Sequence, residues 1–118
     1  MRDDTIYFQH ISESIDLIQQ YLAGADGAPN RDLLYRDRKT QDAVLRRLET
    51  LADAASHLSE VVKARHSDIP WRQISDFRNV LAHRYTDIRL DRVWEAINAD
   101  LTSLKIVVHE ELRGADSA

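Results

Sequence analysis

Apolar residues recur along the chain at alternating spacings of three and four. Phe8, Ile11, Ile15, Ile18 and Leu22 form a first stripe, and Val44, Leu48, Leu51, Ala55, Leu58 and Val62 a second. Leu90, Trp94, Ile97, Leu101, Leu104 and Val108 form a third. This spacing returns a side chain to one face of an α-helix at every turn, so each stripe predicts an amphipathic helix. Each keeps a seven-residue period, which suits near-parallel packing in a bundle. No comparable stretch alternates apolar and polar positions as a half-buried strand would. The expected fold class is therefore all-α, an antiparallel bundle of four main helices plus a short helical turn.

Helix breakers divide the chain in the same way. The run from Gly24 to Asn30, rich in Gly, Ala and Asp and containing Pro29, closes the first helix. Asn30 or Asp32 can cap a short helical turn ahead of a long second helix, expected at roughly 38–65. His66 to Pro70 ends that helix. Pro70 then suits the first position of a third, at about 70–84, which has Trp71, Ile74, Phe77 and Leu81 to bury. Thr86 to Arg89 reads as a connection, Asp91 can open the last helix, and Gly114 is expected to stop it. Trp71 and Trp94 are expected in the core. The organisation expected is one domain over 1–118, with its core at about 5–112 and a frayed tail over 114–118.

Composition narrows the class. A chain of 118 residues, 43% of them apolar, can build one core but leaves much surface exposed, and pairing with a second copy would cover more of it. There is no cysteine, so neither a disulfide framework nor a thiolate metal site is available. Met1 is followed by Arg2, Asp3 and Asp4 rather than by a basic segment and an apolar run. No stretch approaches the roughly 18 consecutive apolar residues of a membrane span. A cytoplasmic protein with no membrane partner is expected. The net charge of −4 argues against a coat for nucleic acid, but it is unevenly spread. Residues 61–92 hold seven Lys and Arg against four Asp, a local excess of positive charge that suits one anion site as well as a solvated face.

The familiar catalytic signatures are missing: no Gly-rich phosphate loop, no His-Glu-x-x-His and no nucleophile elbow. His10 and His57 lie within predicted helices and read as satisfied surface or boundary residues. His109, near the end of the last helix, can favour the helix dipole. The histidines are scattered, so no metal site is expected and no cofactor is called for. The segment Phe77-Arg78-Asn79-Val80-Leu81-Ala82-His83-Arg84-Tyr85 is different, because it gathers Arg, Asn, His, Arg and Tyr at the end of a short helix. Arg can fork two hydrogen bonds onto a phosphate, and His can take and return a proton near neutral pH. That pairing fits cleavage of a phosphodiester that brings its own nucleophile, as RNA does in its 2′-hydroxyl. The same residues also read as an ordinary helix end with solvated arginines. Arg78 and His83 are five residues apart, about 140° on a helical wheel. Either the helix loosens near Ala82, or each phosphate is gripped by residues from two chains. Asn79 and His83 stand four apart and share a face.

Arg78-Asn79-x-x-x-His83-x-Tyr85 resembles the motif of HEPN domains of the HepT type. Ile69-Pro70-Trp71-Arg72-Gln73-Ile74 resembles that family's entry to the motif helix, and Thr86-Asp87-Ile88 with Val93-Trp94 its link into the last helix. Gln41-Asp42-Ala43-Val44 with Arg47-Leu48 resembles the start of its long second helix. The resemblance covers about residues 5 to 112. Where many relatives carry Gly-Glu in the second helix, this chain has Ala52-Asp53, which keeps the carboxylate on a side chain one carbon shorter.

The resemblance implies a homodimer in which two Arg–His motifs meet across a cleft and cleave RNA without metal, as the toxin of a type VII-like toxin–antitoxin pair. A minimal nucleotidyltransferase would be the antitoxin partner, transferring AMP to Tyr85. In this reading Arg78 and His83 are catalytic and Asn79 and Asp53 support them. Arg84, Arg72 and Lys63 guide the RNA backbone. The alternative implied by the same family is a non-catalytic nucleotide- or partner-binding subunit of a nucleotidyltransferase.

Overall fold

The computed structural model describes residues 4–82 and 89–117. Within them the chain forms six helices: α1 (Asp4–Leu22), α2 (Arg31–Arg36), α3 (Arg38–Ser56), α4 (Glu60–Arg65), α5 (Trp71–Ala82) and α6 (Leu90–Ser117). The architecture is the expected all-α bundle. The first predicted stripe is buried intact on α1, with Phe8, Ile11, Ile15, Ile18 and Leu22 at 2% exposure or less. It packs on α3 and α6, and two polar contacts fix the directions. Asp4, at the start of α1, meets Ser59, just beyond the end of α3. Gln19, near the end of α1, accepts a hydrogen bond from Lys105 of α6 at 2.9 Å. At about 1.5 Å per residue the 28 residues of α6 span roughly 42 Å, close to the 44 Å long axis of the molecule.

The loop after α1 folds back on itself. Asn30 N–H reaches the Leu22 carbonyl at 2.7 Å, and Gly27 takes φ = +82°, a left-handed turn position that glycine occupies without steric cost. Asn30 then caps α2, its side-chain oxygen accepting from Asp32 N–H at 2.9 Å. Trp71 is buried, and its indole N–H donates to the carbonyls of His66 and Lys63 at 3.0 and 3.2 Å, which also accept the backbone N–H groups of Ile69 and His66 at the end of α4. Trp94 is half-buried against the core.

Two expectations are corrected. The second helix, expected at 38–65, is two helices, α3 and α4, separated at His57 to Ser59. Backbone N–H groups of His57 and Leu58 turn to the carbonyls of Ala54 and Ala55, which tightens and ends α3. Ser59 starts α4 afresh, its Oγ accepting from Val62 N–H. The last helix does not stop at Gly114; α6 continues to Ser117, and the glycine lies in open space with no backbone reversal.

Between α4 and α6 lies a polar clasp. Glu111 accepts from His66 Nε2 at 2.6 Å and from Arg65 Nη2 at 2.9 Å. Burial alone would raise the Glu111 carboxyl, but the hydrogen bonds from His66 and Arg65 outweigh it and hold the group below its ordinary value.

Candidate active site

The end of α3 is built by side chains that take over where its backbone ladder stops. Because His57 N–H has turned to Ala54, the Asp53 carbonyl is available to side chains, and Ser56 Oγ and His57 Nδ1 approach it at 2.6 and 2.8 Å. A carbonyl only accepts, so the Ser56 hydroxyl and the His57 Nδ1–H are the donors, which fixes the His57 tautomer. The His57 ring also stacks on Tyr7 of α1, with centroids 5.3 Å apart and planes 17° from parallel. Residues 53, 56 and 57 are spaced i, i+3, i+4 and share one face.

That face meets α5. Ile74 and Leu81 are buried on α5, and Arg78, four after one and three before the other, leaves the helix at the border of this apolar stripe. Its Nη1 lies 3.2 Å from Asp53 Oδ1 and 3.4 Å from Ser56 Oγ. The side chains of Arg78 and Asp53 are 49% and 57% exposed, so the pair sits at the protein surface with its cation open to solvent. Asn79 is exposed on the adjoining side of α5.

Of the residues singled out in the sequence, the structure joins Asp53 and Arg78 directly. Lys63 belongs to α4, where its ammonium faces Glu60 at 4.0 Å. Arg72 is exposed near the start of α5, about 120° around the helix from Arg78. Among the described residues no contact joins either of them to the Asp53–Arg78 pair. His83, Arg84 and Tyr85 lie outside the described residues. Ser56 and His57 are the additions that sequence reasoning missed as neighbours of the pair; their only signal is a spacing of three and four from Asp53.

A cleft of about 590 Å³ lies between α5 and α6. Its α5 wall is the Gln73–Asp76–Phe77 face, and Arg89, Arg92 and Asp100 are among the residues opposite. Asp100 is raised above the ordinary carboxylate value by burial first and by the nearby Glu95 second. Asp91, beside the cleft, is lowered chiefly by its hydrogen bond from Arg89. Among the described residues no three His, Asp or Glu side chains cluster as a metal site would require, and no helix is long and apolar enough to cross a membrane.

The family model for HepT-like ribonucleases matches residues 11–111. "Probable ribonuclease HepT" of Thermococcus cleftensis is 31% identical over 103 residues, covering 84% of this chain and 86% of the relative. "Gamma-glutamylcyclotransferase and putative RNase" of Methanocaldococcus jannaschii is 32% identical over 114 residues, 94% of this chain, which spans half of that longer protein. A "Putative RNase" of Caldanaerobacter subterraneus is 25% identical over 113 residues and is covered over 97% of its length. No solved structure gives a significant match. The HepT-like match takes in α3 and α5 and every residue of the Arg78 site, and the chain belongs to the HepT-like ribonuclease family.

Proposed function

We propose that the chain is a metal-independent endoribonuclease toxin that works as a homodimer, with Arg78 and His83 as its catalytic residues. The observation that carries this reading is the Arg78 guanidinium. It is tethered at one nitrogen by Asp53 and Ser56 yet half open to solvent, on a chain of a ribonuclease family. A guanidinium held in this way can turn its remaining donors toward a phosphate. In the reaction proposed, His83 of one protomer takes the proton of a ribose 2′-hydroxyl as its oxygen attacks the adjacent phosphorus in line. The bond to the 5′-oxygen breaks, and His83 of the second protomer protonates that oxygen. The Arg78 pair stabilises the charge that builds on the phosphorane. Products are a 2′,3′-cyclic phosphate and a 5′-hydroxyl, with no water or metal consumed. Asn79 and Asp53 hold the catalytic groups in place, and Lys63, Arg72 and Arg84 steer the RNA backbone.

Control falls to Tyr85, two residues beyond His83. AMP placed on its hydroxyl by a minimal nucleotidyltransferase antitoxin would add a phosphate charge and a bulky nucleoside beside the catalytic histidine, repelling and displacing RNA. The deciding experiment incubates a short RNA with wild type and Arg78→Ala in excess EDTA and identifies the new ends. Cyclic phosphate ends from wild type alone are expected. An absolute need for Mg²⁺, or simple 3′-hydroxyl ends, would refute the mechanism.

A further inference from the structure

Ser56 performs no step of the mechanism above, yet its hydroxyl touches the Arg78 guanidinium that the mechanism depends on. Its geometry leaves little freedom. The hydroxyl proton is committed to the Asp53 carbonyl at 2.6 Å, so the oxygen's lone pairs are left to accept. Arg78 Nη1 approaches that oxygen at 3.4 Å, and the Nδ1–H of His57 at 3.3 Å. The same Arg78 nitrogen lies 3.2 Å from Asp53 Oδ1. Both acceptors therefore hold one edge of the guanidinium, and both come from the last turn of α3. A carboxylate alone is a single attachment about which the planar group can swing; a second acceptor on the same nitrogen sets the direction of the plane.

We infer that Ser56 is a positioning residue that, with Asp53, aims the Arg78 guanidinium. This rests on the reading of Arg78 as the phosphate-stabilising group. The consequence is specific to the chemical step. A wobbling arginine still attracts an RNA phosphate through its charge, but it stabilises the phosphorane less well because its donors are no longer fixed where charge develops. Loss of Ser56 should therefore lower kcat and spare KM.

The test uses the intact protein with Ser56→Ala and Ser56→Thr. Ala is the better helix former and Ser back-bonded to its own helix contributes little to stability, so Ser56→Ala should melt no lower than wild type. Its kcat on a short RNA should fall roughly three- to tenfold, the size of one net hydrogen bond, with KM within about twofold. Ser56→Thr keeps the hydroxyl and the same back-bond, and should restore most of the rate. A second readout does not need activity. In ¹⁵N spectra of the arginine side chains, with the Arg78 signal assigned by its loss in Arg78→Lys, rotation of the guanidinium should be slow in wild type and faster in Ser56→Ala. Unchanged kcat in Ser56→Ala would overturn the inference, as would an equal loss in Ser56→Thr or a fall that tracks a lower melting temperature. If wild type fails to cut any RNA, the nuclease reading falls, and unchanged guanidinium rotation in Ser56→Ala would then overturn the positioning role separately.

Discussion

Arg78→Lys separates the charge of Arg78 from its shape. Lysine keeps one positive charge at nearly the same reach but replaces a planar fork of donors with a compact ammonium. The stability cost can be bounded from the structure. With Arg78 49% and Asp53 57% exposed, the ion pair is a surface pair, worth at most about 1 kcal/mol. For a domain of this size that is a melting shift of no more than roughly 3–6 °C. The catalytic cost should be much larger. Nη1 is occupied by Asp53 and Ser56, so the phosphate has to be met by the rest of the fork, and lysine has no rest of the fork to offer. Losing such a donor array typically lowers kcat by about 10² to 10³. The assay is single-turnover cleavage of a fluorescent RNA over a range of protein concentrations up to saturation, which gives both the limiting rate and the half-saturation point, paired with a thermal melt of the same samples. A kcat within threefold of wild type would show that charge alone suffices. A rise in KM with kcat unchanged would make Arg78 a uniform binding contact rather than a transition-state one. A melting temperature lowered by more than about 6 °C would make it a structural strut.

Three further outcomes are expected. His83→Ala should abolish RNA cleavage by a factor on the order of 10² to 10⁴ while His109→Ala leaves it nearly unchanged, as read by gel assay of the purified variants. Tyr85→Phe should still cut RNA but gain no AMP mass when co-expressed with a nucleotidyltransferase antitoxin; AMP found by mass spectrometry on Tyr7, Tyr21 or Tyr35 would refute the switch. Glu111 should make stability depend on acid pH. Its folded-state carboxyl titrates below the ordinary 4.5, so its contribution is fully present above about that pH and is lost as pH falls through the lower folded value. Urea melts between about pH 3 and 7 should lose part of this slope in Glu111→Gln, and Glu111→Ala should cost about 1–2 kcal/mol at neutral pH through the bonds lost to Arg65 and His66.

The helices were legible because burial recurs once per turn: Phe8 to Leu22 needed nothing beyond their spacing to declare one face of α1. The break between α3 and α4 was not, because Ala55, Leu58 and Val62 keep the spacing of three and four and stay buried across it, so the stripe runs through unmarked. A tertiary contact also holds the break. The Asp4 carboxylate, 55 positions away, accepts from the Ser59 backbone N–H at 2.9 Å and from its hydroxyl at 2.7 Å, and no local pattern encodes that meeting. Gly114 misled for the opposite reason: a helical glycine costs only about 1 kcal/mol against alanine, and propensity alone does not oblige a helix to end there.

The site divides along the same line. Arg78 stood out through its motif, and Asp53 through the family resemblance, whereas Ser56 is an unremarkable residue until α5 is laid against the last turn of α3. Its proximity to Arg78 then suggests why the group is built as it is. A half-exposed ion pair with one long hydrogen bond beside it adds little to stability, since water competes for each contact. The same contacts can still restrict a guanidinium to a narrow range of orientations, because direction depends on the number of acceptors holding one edge and not on the depth of any one of them. An arrangement weak in stability but definite in direction is what a phosphate-stabilising arginine requires: it must stay solvent-open to meet its substrate and be aimed before the substrate arrives.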